Sequence, residues 1–143
     1  MGTHEKVMEF INLVKGHKNH GTGYDAHEII ERVYKNGNCY MFAKTLQFIF
    51  PQAEIYSVDC SWFSHVVAKI DGKLYDITGE VSDEYSYSPI SKEEEEDART
   101  WCYSTYLDGA YGLHDQRNNP IEKLSDLRMN ATNTGWDIES CLN

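Results

Sequence analysis

Three residues able to carry out acyl transfer occur in the order such chemistry uses: Cys39, His65 and Asp76. Cys39 follows Gly37-Asn38 and opens an apolar helical stripe. His65 and Asp76 lie in two consecutive runs of alternating character. A thiolate is the working form of a cysteine nucleophile, and the unpaired N–H groups and dipole of a helix N-terminus favour it. The same N–H groups can receive the oxyanion that forms when a carbonyl is attacked. Gly37 lets the chain turn tightly just before the sulfur and leaves space for that carbonyl. Taken singly, each residue has a plainer role. A free cysteine is usually a small buried hydrophobe, and lone histidines and aspartates fill many strand positions.

The spacing of His65 and Asp76 makes the combination more than three separate residues. Asp71-Gly72 is the dipeptide that a type I′ hairpin turn selects, because both central residues need positive φ. With that turn, Ile70 pairs with Lys73, Val67 with Asp76, and His65 with Thr78. Residues paired across an antiparallel ladder share a face. His65, Val67, Asp76 and Thr78 are therefore expected on one face, with Val66, Ala68, Ile70, Tyr75 and Ile77 on the other, core-forming face. His65 and Asp76 become diagonal neighbours, near enough for a carboxylate to orient an imidazole, as in a Cys-His-Asp triad.

The stretch Gly37-Asn38-Cys39-Tyr40-Met41-Phe42-Ala43, followed by His65-Val66-Val67-Ala68-Lys69-Ile70-Asp71-Gly72-Lys73-Leu74-Tyr75-Asp76, resembles the papain-like cysteine enzymes. Within them it is most similar to the transglutaminase-like and NlpC/P60-type groups, as a small bacterial or phage-type member. The resemblance spans about residues 36–80 and lies in residue order, element type and hairpin register. It implies an α+β fold in which N-terminal helices, with the nucleophile at a helix N-terminus, pack on a small antiparallel sheet. It also implies that Cys39 is the nucleophile, His65 the general base and acid, and Asp76 the orienting residue. The Gln that papain-type enzymes carry shortly before the cysteine is absent, with Val33 and Tyr34 in that neighbourhood. Asn36, Asn38 or the backbone N–H of Cys39 are left as oxyanion donors. Trp62 and Phe63, just before His65, are either core residues or walls of the cleft.

The elements that must position these groups are legible from periodicity. Val7, Phe10, Ile11 and Val14 mark a first helix, with Thr3 as N-cap and Gly16 as its stop. Asp25 and Glu28 form a capping box for a second helix with Ala26, Ile29, Ile30 and Val33 along one stripe. Asn38 caps a third helix, running from Cys39 to Phe50, where Pro51 ends it. The period then changes to two, giving strands at Ala53–Val58, His65–Ile70 and Lys73–Thr78. Ser91 with Glu94 opens a further helix toward Trp101, with the acidic run Glu93–Asp97 in its first turns as a solvated face. Asn119-Pro120 suggests a last helix start. One domain over 1–143 is expected, with a core at about 24–80 and a helical or irregular extension at about 90–143.

Composition narrows the alternatives. The chain has 143 residues with 13 Lys and Arg against 23 Asp and Glu, a net charge of −10. Nucleic-acid binding needs a basic face that displaces counterions, and anionic membranes demand the same, so neither partner is expected. The apolar and aromatic content argues against disorder. Cys39, Cys60, Cys102 and Cys141 form no closely spaced pair and suggest reduced thiols in a cytoplasm. Residues 1–20 are too charged for a signal peptide or a membrane span. His17, His20 and His27 with Cys39 match no zinc-ligand spacing, so no metal and no cofactor is expected. His114, in a Gly-containing loop, is an alternative base.

The function expected is that of a cysteine-nucleophile hydrolase or acyltransferase acting on an amide or isopeptide bond of a peptide or protein. The alternatives are an acidic non-enzymatic binding or inhibitor protein, such as a nucleic-acid mimic, and an inactive binding module of the same fold. The acidity concentrates at Glu80, Asp83, Glu84 and Glu93–Asp97, opposed there only by Lys92, and so lies after the hairpin rather than at the three site residues.

Overall fold

The structure, a computed structural model, describes residues 2–15, 39–60, 63–81, 86–102, 123–126, 128–129 and 139. Among these, the protein is α+β. Helix α1 (Thr3–Lys15) and helix α2 (Cys39–Ile49) are followed by strands β1 (Glu54–Cys60), β2 (Phe63–Ile70), β3 (Lys73–Asp76), β4 (Gly79–Glu80) and β5 (Ser88–Pro89), and by helix α3 (Lys92–Cys102). The strands form one antiparallel sheet in the order β4-β3-β2-β1-β5, which places β2 at its centre.

The two N-terminal helices form where the apolar spacing demands. Val7, Phe10, Ile11 and Val14 of α1 are all fully buried. The helix begins at Thr3, and Lys6 N–H donates to the Gly2 carbonyl, so Gly2 rather than Thr3 is its cap. On α2, Cys39 to Ala43, Thr45 and Leu46 are buried. Phe10 stacks on Phe42 with centroids 6.4 Å apart, joining the two helices. Pro51 stands just beyond the end of α2, as its missing N–H requires. The chain reverses there through an Ala53 N–H bond to the Phe50 carbonyl, and Gln47 reaches forward to the Ala53 carbonyl. These helices pack with Ala98 of α3 and the sheet residues Ile55, Val66, Ala68, Ile70, Tyr75 and Ile77 in one core. Fully burying a side chain of Leu or Phe size is worth about 1.5–3 kcal/mol, so this helix-to-sheet layer carries most of the stabilisation.

The hairpin between β2 and β3 has the expected turn. Asp71 has φ 50° and Gly72 φ 85°, as type I′ requires, and the ladder runs Ile70↔Lys73, Lys69↔Leu74 and Ala68↔Tyr75. The expected register ends at Tyr75, and neither the Val67–Asp76 nor the His65–Thr78 pair is part of the ladder. Instead of continuing to Thr78, the chain turns at Ile77-Thr78 and returns as β4, pairing Asp76 with Gly79 and Tyr75 with Glu80. Gly79 has φ 119°, a value a side chain rarely tolerates, which is why a glycine ends this turn. His65 therefore pairs with Val58 of β1 and does not meet Thr78 across a ladder. It lies on a stretch of β2 that β3 does not flank, which leaves room beside it for another element.

Helix α3 opens with the expected capping box: Glu94 N–H donates to Ser91 Oγ at 3.1 Å, and Ser91 N–H to Glu94 Oε1 at 3.3 Å. Its acidic first turns are not simply a solvated face. Ser57 Oγ on β1 donates to Glu94 at 3.0 Å, and the Tyr40 hydroxyl on α2 donates to Glu95 at 2.9 Å. Two of the acids thus fasten α3 to the sheet and to α2, while Glu93, Glu96 and Asp97 are exposed. Strand β5 was not expected; its Pro89 sits on the sheet edge, where a missing N–H is harmless. No helix among the described residues is long and apolar enough to cross a membrane.

Candidate active site

Each of the three sequence-predicted groups comes from a different element. Cys39 is the first residue of α2, His65 lies on the central strand β2, and Asp76 is the last residue of β3. All three are buried, at 4%, 3% and 4% exposure. A buried polar side chain must find partners or destabilise the fold, and these find one another.

His65 Nε2 and Asp76 Oδ2 are 2.8 Å apart. The Cys39 side chain lies close enough to the imidazole to favour its charged form. Nε2 is engaged by Asp76, and the other ring nitrogen, Nδ1, is fully buried. The imidazole thus has a carboxylate bonded to one nitrogen and a cysteine in its neighbourhood, the set of groups that general-base activation of a nucleophile uses.

The electrostatics follow from that placement. Burial by itself pushes the His65 pKa down. The hydrogen bond to Asp76 and the proximity of Cys39, with the charges of both, overcome it and raise the value from 6.5 to about 9. For Asp76, burial pushes the carboxyl up. The bonds to His65 and to the Thr78 hydroxyl and N–H, with the His65 charge, outweigh it and hold the pKa below its ordinary value of 3.8. At neutral pH the pair is therefore an imidazolium against a carboxylate in a water-excluded place.

Thr78 is the residue that the sequence pattern misplaced. Its N–H donates to Asp76 Oδ1 at 2.7 Å, and its hydroxyl donates to the same oxygen. Asp76 thus has one oxygen committed to Thr78 and the other to His65. The signal was present as Asp76-Ile77-Thr78-Gly79, since Asp commonly bonds the N–H two residues on and Gly closes such turns.

The remaining candidates fall elsewhere. Asn36, Asn38, Trp62 and His114, the second helix at Asp25–Val33 and the histidines His17, His20 and His27 lie outside the described residues. Phe63 is placed only as the first residue of β2. Of the candidate oxyanion donors, the backbone N–H of Cys39, at the head of α2, is among the described residues. A small open cleft of about 80 Å³ is lined by Ser57, Ser64, Val66, Ile90, Glu94, Asp97 and Ala98. Ser64 and Val66 alternate with His65 along β2, so this cleft lies on the other face of the strand.

Comparison with known proteins corrects the expected kinship. No curated protein and no solved structure matches the chain. The family that matches is not a papain-like, transglutaminase-like or NlpC/P60-type one. It is described as "Phage YunG-like protein" and covers residues 16–125, which include Cys39, His65 and Asp76. The order Cys, His, Asp on helix, strand and strand is a chemical constellation that unrelated folds can share, so the likeness in order did not establish descent. The phage-type source suggested by the sequence agrees with the printed description. By a match over more than half its length, this chain belongs to the Phage YunG-like family.

Proposed function

We propose that the protein is a cysteine-nucleophile enzyme that cleaves or transfers the acyl group of an amide or isopeptide bond in a peptide or protein, working in a reducing cytoplasm. The observation that carries the reading is the buried His65–Asp76 pair, 2.8 Å apart, with the buried Cys39 at the head of α2 near enough to act on the imidazole. In this reading His65 already holds the proton of the Cys39 thiol, and the thiolate attacks the substrate carbonyl. The oxyanion forms against the N–H groups at the head of α2. The C–N bond then breaks, the amine leaves with the proton from His65, and an acyl thioester remains on Cys39. Water, or a second amine, attacks the thioester while His65 takes its proton, and the thiol is released. Asp76 keeps the imidazole oriented and stabilises its charge throughout. Hydrolysis, deamidation and transamidation differ only in the leaving and attacking groups, and none needs a cofactor.

Alkylation by iodoacetamide at pH 6, read by peptide mass spectrometry, tests the proposal. A thiol with the ordinary pKa of about 8.5 is only about 0.3% thiolate at that pH. An ion-paired Cys39 labels at least about tenfold faster than Cys102 under the same conditions. Labelling of Cys39 no faster than that of Cys102 removes the nucleophile.

The exposed carboxylates Glu93, Glu96 and Asp97 on α3 support a second reading, an acidic binding or inhibitor surface. In that case the chain competes with DNA for a DNA-binding protein in a salt-sensitive way. An absence of competition discards it.

A further inference from the structure

We propose that Thr78 is a positioning residue of the site: its two donors hold Asp76 Oδ1 so that Oδ2 is presented to His65. The inference rests on the reading of Cys39 as a nucleophile and extends that site by a fourth side chain. Asp76 ends β3, paired with Gly79 of β4 and beyond the last β2–β3 pair, so the ladder to β2 does not fix its carboxylate on His65. A side chain with two rotatable bonds in that place needs a second anchor to keep one oxygen on a histidine of another strand. Thr78 supplies it twice over, through its N–H at 2.7 Å and through its hydroxyl, both on Oδ1. The donors come from the Ile77-Thr78 turn, which Gly79 closes with φ 119°. The turn thus has two effects: it starts β4, and it fixes the orienting carboxylate. Among the described groups, Asp76 is faced by His65 and Thr78, and His65 by Asp76 and Cys39.

A donor bonded to a carboxylate favours its charged form. Removing the hydroxyl leaves the N–H in place, releases part of the clamp and lets the carboxyl protonate at a higher pH. The test compares the full-length wild type with Thr78→Val, Thr78→Ser and Thr78→Ala. Two readouts are used: the carboxyl carbon-13 titration of Asp76, and the pH profile of Cys39 alkylation by iodoacetamide. In Thr78→Val the Asp76 midpoint rises. The loosened carboxylate orients His65 less firmly, so the rate of Cys39 alkylation at pH 6 falls roughly three- to tenfold. Thr78→Ser restores both. If Thr78→Val does not fold, the contrast between Ala and Ser decides in the same way. An Asp76 titration that moves while Cys39 alkylation does not assigns Thr78 to the turn alone and overturns the proposal. A Ser variant that behaves like Val, or a Val variant that matches wild type in both readouts, does so as well. If wild-type Cys39 labels no faster than Cys102 at pH 6, the nucleophile itself is removed, whereas a fast wild-type Cys39 that Thr78→Val leaves unchanged removes only the role of Thr78.

Discussion

Replacing Asp76 by Asn removes the anion that keeps His65 charged, and the consequence is a change in how stability depends on pH. In the native protein the His65 pKa stands at about 9 against its ordinary 6.5. At ~1.36 kcal/mol per pH unit, that rise corresponds to about 3 kcal/mol of stabilisation. His65 is 3% exposed, so solvent screening does not reduce the figure much. The sign follows from linkage. A group whose folded pKa is raised contributes in full below its unfolded pKa, and the contribution disappears as pH rises through the folded one. Wild-type stability should thus decline by about 3 kcal/mol between about pH 6.5 and 9 on this account, apart from other groups titrating there. Asp76, held below 3.8, acts in the opposite sense and withdraws its share only as pH falls into the acid range. The two shifts describe one interaction from its two ends and are not added. In Asp76→Asn the His65 midpoint drops toward or below 6.5, because burial now acts on it without the carboxylate charge. The variant is less stable by about 2–3 kcal/mol at pH 6, a fall in Tm on the order of 10 °C. The difference between variant and wild type narrows as pH approaches 10. Urea denaturation at half-unit pH intervals, with the His65 ring proton followed by NMR, measures both quantities. If wild type and Asp76→Asn have parallel stability profiles from pH 6.5 to 9, the coupling argued from the 2.8 Å contact does not operate.

Two further substitutions probe the frame around the site. Tyr40→Phe removes the hydroxyl that holds Glu95 of α3 at 2.9 Å. A hydrogen bond to a charged group is worth about 1.5–3 kcal/mol, and this one is only part-buried. A loss of about 1 kcal/mol in urea denaturation is therefore expected, and Tyr40→Phe with wild-type stability shows that the bond contributes nothing. Gly79→Ala places a Cβ 3.2 Å from Met8 Cε at a φ of +119°. The backbone strain alone costs on the order of 1–3 kcal/mol, so a thermal midpoint unchanged from wild type contradicts the turn geometry.

Much of the site was legible because local rules and tertiary needs agreed. The stripe from Val7 to Val14 is buried as its spacing requires, and Asp71-Gly72 adopts the turn its two residues favour. That turn fixes the register, and the register brings Asp76 near His65. The same reasoning misplaced Thr78 because it extended a ladder by counting. Where a strand ends depends on what the following residues do, and at Ile77-Thr78-Gly79 a side-chain bond to Asp76 and a positive-φ glycine favoured a turn over two more pairs. The acidic run misled for a related reason. Composition marks Glu93–Asp97 as solvent-facing, yet Ser57 and Tyr40, each distant in sequence, claim Glu94 and Glu95. A tertiary partner of that kind leaves no periodic trace. Kinship was the least legible property, because a nucleophile, a base and an orienting acid reflect the needs of a reaction rather than ancestry.

The two errors bear on the same physical point. Both the end of β3 and the start of α3 are places where main-chain pairing runs out and side chains take over. At the first, Thr78 and His65 hold the two oxygens of Asp76. At the second, Ser91, Ser57 and Tyr40 bind Glu94 and Glu95. Tyr40 directly follows Cys39, so the position of Cys39 depends on α3 through its neighbour's hydrogen bond to Glu95. The sheet fixes His65 through the β1–β2 ladder, where it pairs with Val58. Cys39 and Asp76 are instead fixed by polar contacts at element ends. Hydrogen bonds at element ends open more readily than those inside a paired sheet. The separation between sulfur, imidazole and carboxylate is therefore set less by the rigid centre of the fold than by two small groups of side chains at its margins.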